Sequence, residues 1–519
     1  MSHSFAYSRL IAMAFFVAAC TGGDSTGPDD NGNQNPPPPT PTVTLSLDQS
    51  SATVVAGASA TVNATIVRGG GFTGPVTIAG SGAPTGVTIT GGTIAAGATT
   101  MAVSIASTSS AAASTTSLSI TGSASGVTIS PASVSLTVTP ATAQIGATLE
   151  GEMGGDQFGT AISLSANGSR VVIGAPLNNG KATDAGHARV FERSGNTWTQ
   201  MGSDLDGDAA DDRFGGAVAM ADNGTRIAVG SYLSDGGDPK NGEVKVFEYA
   251  AGAWTQVGAN IYGGKGRGAG FAVAINSTGS RVVTGGPGVG STTGEVRVYE
   301  LTAGAWVQMG NTLSGSLENG SAVTMSDDGN RIALGLPSAS GSSKPGSVQA
   351  YEWNGSAWVQ TGATLDGENI VDNFGAALSL SADGSVLAVG APNNVGQGAA
   401  GGGAKGGHVR VFRLTGGAWA QVGADIDGPI GAGFGASVSI SADGNKVMAL
   451  GFGGGKGSVG VYTLTSNVWT KASAPDFGTG GRMGGVAISP DGKTGAAGEV
   501  FFAGTAGASS GAVRLYGLQ

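Results

Sequence analysis

The stretch "DLDGDAADD" gathers Asp204, Asp206, Asp208, Asp211 and Asp212, and "DGENIVD" adds Asp366, Glu368 and Asp372. Carboxylates at alternate positions are the donors of a calcium loop, whose ion takes six to eight oxygens. The first stretch departs from that loop at two points. Ala209 stands at its sixth position, where the turn needs glycine, and no bidentate Glu falls at its twelfth. It reads as a solvated acidic rim, and calcium is the only cofactor the sequence suggests. His187 and His408 occupy matching phrases, "GHARVF" and "GHVRVF", but the equivalent phrases elsewhere carry Glu, Ser or Ala. Far apart in the chain's repeat order, they are poor partners for a shared metal, and a structural role is expected for each. No spacing selects a carboxylate pair for glycoside hydrolysis, and serine-nucleophile motifs are missing. No enzymatic chemistry is expected.

These residues sit in a unit that recurs from about residue 143 to 519. Seven phrases mark it: "SANGS", "ADNGT", "NSTGS", "SDDGN", "SADGS", "SADGN" and "SPDGK". Each lies between two apolar alternating runs, and Asn-Gly or Asp-Gly in that position signals a hairpin. A Gly-rich loop follows, then a third strand such as "EVKVFEY" and a fourth such as "WTQVGANIYG". Trp198, Trp254, Trp306, Trp358, Trp419 and Trp469 keep the count, 56, 52, 52, 61 and 50 residues apart. Four antiparallel strands at this period predict the blades of a β-propeller. The seventh unit stops at its third strand, "GAVRLYGLQ", whereas "AQIGATLEG" at 143–151 precedes the first unit and matches "VQTGATLDG" at 359–367. The spacing predicts a seven-bladed ring in which 143–151 supplies the missing fourth strand and removes an open sheet edge.

The strand order puts tight hairpins on one face and long, dissimilar loops on the other, among them "SYLSDGGDPKNG" and "PNNVGQGAAGGGAKGG". Variable loops on a rigid frame are where recognition resides. Composition agrees with an all-β chain: 96 glycines, 40% apolar and 12% charged residues suit short strands and turns rather than helices. A net charge of −10 without a basic cluster argues against nucleic acid as a partner.

Phe-Gly at the start of one strand and Gly-Ala-Pro at the end of the next resemble the FG-GAP repeat of integrin alpha propeller heads. Units one and five carry it in full, "FGTAISLSANGSRVVIGAP" and "FGAALSLSADGSVLAVGAP". Phe158, Phe214, Phe374 and Phe434 hold the Phe position, and Ala269, Asn319 and Arg482 replace it elsewhere. Each Phe is expected to be core. The resemblance implies a propeller used for binding or adhesion to an extracellular protein or glycan through the loop face. Calcium loops of that family lie between the first two strands; here that connection is a tight turn with too few carboxylates.

The chain's other segments complete an envelope protein. Residues 1–19 hold a single Arg followed by the apolar run "LIAMAFFVAA", too short to span a bilayer. "VAAC" resembles the bacterial lipoprotein signal, which implies lipidation of Cys20, the single cysteine, and anchoring to the membrane, on the outer membrane or cell surface. Residues 20–41 are a Pro/Gly/Asp-rich linker. Residues 42–139 show some seven period-two runs rich in Val, Ile and Thr, an antiparallel β-sandwich that resembles bacterial immunoglobulin-like modules. A secreted polysaccharide hydrolase or lyase, or a purely structural component, is the alternative. Lipidation is tested by Cys20→Ser, expected to move the protein from the membrane fraction to the soluble one; unchanged fractionation would exclude the anchor.

Overall fold

A computed structural model describes residues 39–518, apart from 57, 109–110, 140–143, 237–238, 289–292, 316–318, 338–343, 371, 396–405, 454–455 and 473–482. The signal segment, Cys20, nearly all of the linker and Arg482 lie outside the described residues. No helix is found among the described residues.

Residues 42–139 form two sheets. One pairs Thr42–Leu47, Ser59–Gly69, Thr100–Ser107 and Val87–Thr90; the other pairs Ser51–Val55, Ala132–Thr139, Ser114–Ser123, Val76–Ser81 and Gly92–Ile94. Alternate residues of both, including Val62, Ile66, Ile105, Ile78, Leu118 and Leu136, share one apolar core. Two features correct the sequence expectation. Nine strands are present rather than seven: "TVTLSLDQSSATVV" breaks at Asp48–Ser50 and continues in the opposite sheet as Ser51–Val55, and the short Gly92–Ile94 pairs with Val76–Ser81. Ser51–Val55 also runs parallel to Ala132–Thr139, so the sandwich is not wholly antiparallel.

From residue 144 onward the described residues form seven antiparallel sheets in chain order. The first comprises Ala161–Leu164, Arg170–Ala175, His187–Ser194 and Thr197–Gln200, with Leu205–Asp206 returning to pair with His187 and Ala188. The innermost strand of each sheet packs beside that of the next: Ala161–Leu164, Ala217–Met220, Ala272–Ile275, Ala322–Met325, Ala377–Leu380, Ser437–Ile440 and Met483–Ile488, which returns to Ala161–Leu164. Leu149–Glu150 pairs with Val513 and Ala512 on the outer side of the last sheet, and Ile145 N–H donates to Leu515 O at 2.7 Å. The N-terminal end of the repeat region therefore completes the C-terminal sheet. Apolar side chains fill the space between neighbouring sheets. Phe158, Ile162, Val171 and Phe191 of the first meet Val513, Leu515 and Ala496 of the last.

Three backbone devices join the sheets. The Gly of Gly-Ala-Pro lies against the Gly of the next Phe-Gly: a Cβ on Gly174 would collide with Gly215 O, and one on Gly390 with Gly435 O. Each of the six fourth-strand Trp residues donates its indole N–H to a carbonyl of the preceding sheet, Trp198 to Ile145, Trp254 to Met201, Trp306 to Val257, Trp358 to Met309, Trp419 to Thr361 and Trp469 to Val422, at 2.7–3.0 Å. The third device lies in the hairpins, which are wider than two-residue turns. Only their Gly takes a positive φ, 64° at Gly168 and 66° at Gly384. Ser165 Oγ donates to Asn167 Oδ1 and accepts from Arg170 N–H, and Ser381 and Asp383 repeat the arrangement. The residue between Ser and Asx is thereby left free to bond across sheets. Ala166 donates to Asp222 O, Asp222 to Ser277 O, Ser277 to Asp327 O, Asp327 to Ala382 O, Ala382 to Ala442 O and Ala442 to Pro490 O; Asp491 N–H then returns to Ala166 O. The circle of backbone bonds closes.

That circle brings acidic side chains together. Asp327 has its pKa pushed up from 3.8 to about 6, first by burial and then by Asp222, Asp328 and Asp383. A folded-state pKa above the unfolded value means the folded chain binds the proton more tightly, so stability falls as the pH rises through about 4–6. Asp327→Asn is expected to stabilise the protein at pH 8, on the order of 1 kcal/mol once solvent screening is allowed for. The gain should vanish at a pH of about 3.5, below both pKa values, which thermal unfolding at the two pH values checks.

Candidate functional site

Strand direction puts the start of each third strand, the end of each fourth strand and the connection into the next sheet on one face. Three of the connections are shaped by an Asp two residues before Phe158, Phe214 or Phe374. Asp156 Oδ2 accepts the N–H groups of Glu152 and Met153 and the Asn178 amide. Asp372 Oδ2 does the same with Glu368, Asn369 and Asn394. Asp212 Oδ2 accepts from Ala209 N–H at 2.8 Å. Asp212 and Asp372, counted in the sequence among acidic-loop donors, hold their own loops in shape.

The remaining carboxylates of 204–212 do not converge on one point. Asp208 is bonded to Lys245 Nζ at 2.5 Å and lies 3.4 Å from Lys181 Nζ. Asp211 is 3.7 Å from Arg213. Asp206 lies opposite His187 in the strand register. Asp204 belongs to a different group, with two residues that sequence reasoning did not combine with it.

Glu152, His187 and Asp204 each present one donor atom within 4.8 Å of the others, and so do Glu368, His408 and Asp425. Among the described residues these are the two such clusters. His187 Nδ1 lies 3.9 Å from Glu152 Oε2 and 3.8 Å from Asp204 Oδ2; His408 Nδ1 lies 3.6 Å from Asp425 Oδ2. These separations exceed hydrogen-bond length. Both imidazoles have side chains only 1% exposed, and their Nε2 atoms are buried without a hydrogen-bond partner. Burial, assisted by the Arg189 charge, lowers the His187 pKa to about 4, and burial lowers that of His408. Both rings are therefore neutral at physiological pH, with a lone pair to offer. Burial pushes the Glu152 carboxyl up against the opposing pull of Arg189, and Asp204 adds to the rise.

The carboxylates are held from outside. Gln200 Nε2 donates to Asp204 Oδ1 at 2.6 Å and Gln421 Nε2 to Asp425 Oδ1 at 2.7 Å, leaving each Oδ2 turned to the imidazole. Arg189 Nη1 donates to Glu152 Oε1 at 3.1 Å while its Nη2 donates to Glu150 O at 2.6 Å. Its guanidinium also lies over the Phe158 ring, 4.4 Å from the centroid. The Phe positions are core as expected: Phe158, Phe214 and Phe374 are 0% exposed and Phe434 1%.

The second sheet shows how the same place is filled without a histidine. Glu243 replaces His187, Asn260 replaces Asp204 and Lys245 replaces Arg189. Asn260 Nδ2 donates to Glu243 Oε2 at 2.8 Å, and the Lys245 ammonium sits between Asp208 and Glu243, 2.5 and 3.6 Å away. Beside it opens a cavity of about 560 Å³ lined by Asp208–Asp212, Leu233–Gly236, Lys240, Glu243 and Tyr262.

No protein-family model and no curated protein sequence matches this chain. Solved structures to which it is similar include hydrazine synthase of Kuenenia stuttgartiensis, 16% identical over 68% of this chain and 94% of that one, TM-score 0.46. The Dos1 propeller is 12% identical over 72% and 95%, TM-score 0.44, and the periplasmic gluconolactonase of Pseudomonas aeruginosa 15% identical over 61% and 84%, TM-score 0.41. These structure neighbours are β-propellers. The fold and the residues of the site stand on their own geometry.

The dispersal of Asp204–Asp212 among separate partners gives a test. A ligand held only by the folded chain raises stability by mass action, about 2.7 kcal/mol at a hundredfold excess over its dissociation constant. Millimolar calcium added to chelator-treated protein is expected to leave Tm unchanged; a clear rise would mean that the acidic loop closes around the ion.

Proposed function

We propose that the chain is a cell-envelope lipoprotein in which an immunoglobulin-like module carries a seven-bladed propeller of FG-GAP type, and that the loop face of the propeller binds an extracellular ligand. Cys20 anchors the chain, and residues 20–41 lift the folded part away from the membrane surface. One observation carries the reading: concave, chemically varied surface is found on the loop face, where the cavity beside Lys240 and Tyr262 lies, while the opposite face is a circle of self-satisfied turns. Such concavities with a few placed polar groups are the usual seat of ligand binding. Carboxylates of Asp208, Asp211, Asp235 and Glu243 accept hydrogen bonds from hydroxyl groups, and the Tyr262 ring offers an apolar face. This composition favours a neutral glycan over an anionic partner.

A hydrolase or lyase is the second reading, favoured by two convergent groups of His, Arg and carboxylate. The burial of His187 and His408 weighs against it, because a general base must come within hydrogen-bond reach of the substrate proton. Full-length protein on a glycan array distinguishes the two. Expected are binding to a neutral glycan and a loss of about tenfold, or 1.4 kcal/mol, on Tyr262→Ala combined with Asp235→Asn. Lys493→Ala, on the turn face, should have no effect. Equal loss in both variants would refute the loop-face assignment, and shortening of the bound glycan would establish the hydrolytic reading instead.

A further inference from the structure

We propose that Glu152, His187 and Asp204, and likewise Glu368, His408 and Asp425, form two separate sites for a divalent first-row transition ion of zinc type, each fastening a connection between sheets. This inference is independent of what the propeller binds. Three observations meet in it. First, each imidazole side chain is only 1% exposed, its Nε2 is buried without a hydrogen-bond partner, and its Nδ1 faces carboxylate oxygens beyond hydrogen-bond length. With the proton on Nε2, the Nδ1 lone pair points at carboxylate oxygens that cannot donate to it, and an ion between them would use both. Second, the carboxylate oxygens facing the ring are the ones left free after Gln200, Gln421 and Arg189 have taken the others. Such outer partners orient metal ligands. Third, the same triad arises twice, in the first and the fifth sheets.

The donors lie close enough for one ion to draw them together. Two donors about 2.1 Å from one ion at the tetrahedral angle are about 3.4 Å apart; the imidazole–carboxylate separations of His187 with Glu152 and Asp204 and of His408 with Asp425 are 3.6–3.9 Å, and all donors of each triad lie within 4.8 Å of one another. One imidazole nitrogen with two carboxylate oxygens is a borderline set: imidazole suits zinc and its neighbours, whereas calcium and magnesium seek all-oxygen shells of six or more. Three protein donors leave a fourth position for water. Two carboxylates and a neutral ring suit a doubly charged ion, and the Arg189 guanidinium, bonded to the other oxygen of Glu152, and that of Arg410 stay outside the donor set.

The position of each site gives it a role. Glu152 comes from the connection that leaves the N-terminal strand Leu149–Glu150, and His187 and Asp204 come from the first sheet. An ion there ties the strand that closes the last sheet to the first sheet. Glu368 likewise enters from the fourth sheet, and His408 and Asp425 belong to the fifth.

The test uses the full-length protein, made without a polyhistidine tag, stripped with a chelator and dialysed against zinc, with calcium and magnesium as comparison probes. Bound metal is measured by elemental mass spectrometry. Two zinc ions per chain are expected, with a higher Tm than the stripped protein, and no retention of calcium or magnesium. Glu152→Gln and Glu368→Gln alter exposed side chains and should each weaken one zinc by more than about tenfold, the scale on which metal-site partners act; together they should weaken both. Unfolding of the variants in chelator at the wild-type Tm shows that they are folded. Fewer than two zinc ions in the wild type, equal retention of calcium, or two tightly held zinc ions in the double variant would overturn the assignment.

Discussion

The contact on which the repeat region depends is backbone against backbone at the junction of two sheets. Where the Gly of Gly-Ala-Pro in one unit meets the Gly of Phe-Gly in the next, no side chain fits on either partner's side: Gly174 meets Gly215, Gly230 meets Gly270, Gly335 meets Gly375, Gly390 meets Gly435, and Gly498 returns to Gly159. This explains why glycine outlasts the other letters of the repeat. In the third unit Ala269 stands where other units have Phe, and it is still only 2% exposed. The core at that point tolerates a smaller group, whereas Gly230 and Gly270 beside it are both kept. The steric demand is on the backbone, and the aromatic ring only fills the space behind it.

That close junction fixes what the rest of the sheet can do. With the first two strands pinned, the third strand begins directly beneath the connecting loop, so residue types at its first and third positions meet the loop's first residue and the end of the fourth strand. In the second sheet those positions hold Glu243 and Lys245 and neutralise themselves through Asp208 and Asn260. In the third, Glu295 is met by Arg297 and Arg267. In the first and fifth, histidine removes the fixed charge from the strand while two carboxylates stay. One scaffold position thus carries either a glutamate or a neutral imidazole, and in each case a cationic side chain two residues on, Lys245, Arg297, Arg189 or Arg410, stands beside the carboxylates.

Much of the architecture was legible in the sequence because it is local and repeated. Asn-Gly and Asp-Gly marked the hairpins, the Trp spacing counted the sheets, and "AQIGATLEG" betrayed a fourth strand displaced to the front. Other features were not local. One extra strand of the sandwich arises where a run changes sheet at Asp48–Ser50, and the other is the three-residue Gly92–Ile94, too short for alternation to mark. The hairpin geometry depends on Ser165 and Asn167 bonding each other, which a dipeptide rule does not include. The site was missed because its donors are spread over 53 residues from Glu152 to Asp204 and 58 from Glu368 to Asp425, and because clustered Asp residues drew attention to 204–212 instead. A signal was available: Glu, His, Arg and Asp occupy the four equivalent positions together only in the two units that keep Phe-Gly and Gly-Ala-Pro in full.

The first of these two sites also bears on how the ring is held shut. Every other sheet in the series is continuous in the chain from its first strand to its outermost, but the last is assembled from the two ends of the repeat region. Its seam consists of a few backbone bonds, between Leu149 and Val513, Glu150 and Ala512, and Ile145 and Leu515. Hydrogen bonds of this kind contribute about 1 kcal/mol each, and loss of one loosens its neighbours, since the N-terminal strand is short. Side chains of the first sheet supply the reinforcement. Trp198 donates to Ile145 O at the near end of the strand; Arg189 donates to Glu150 O and to Glu152 at the far end. The N-terminal strand is therefore gripped at both ends by the sheet that follows it in sequence, while it pairs with the sheet that ends the chain. Opening the seam requires releasing Trp198 and Arg189 as well as the pairing itself, so closure of the ring and packing of its first sheet form one cooperative unit.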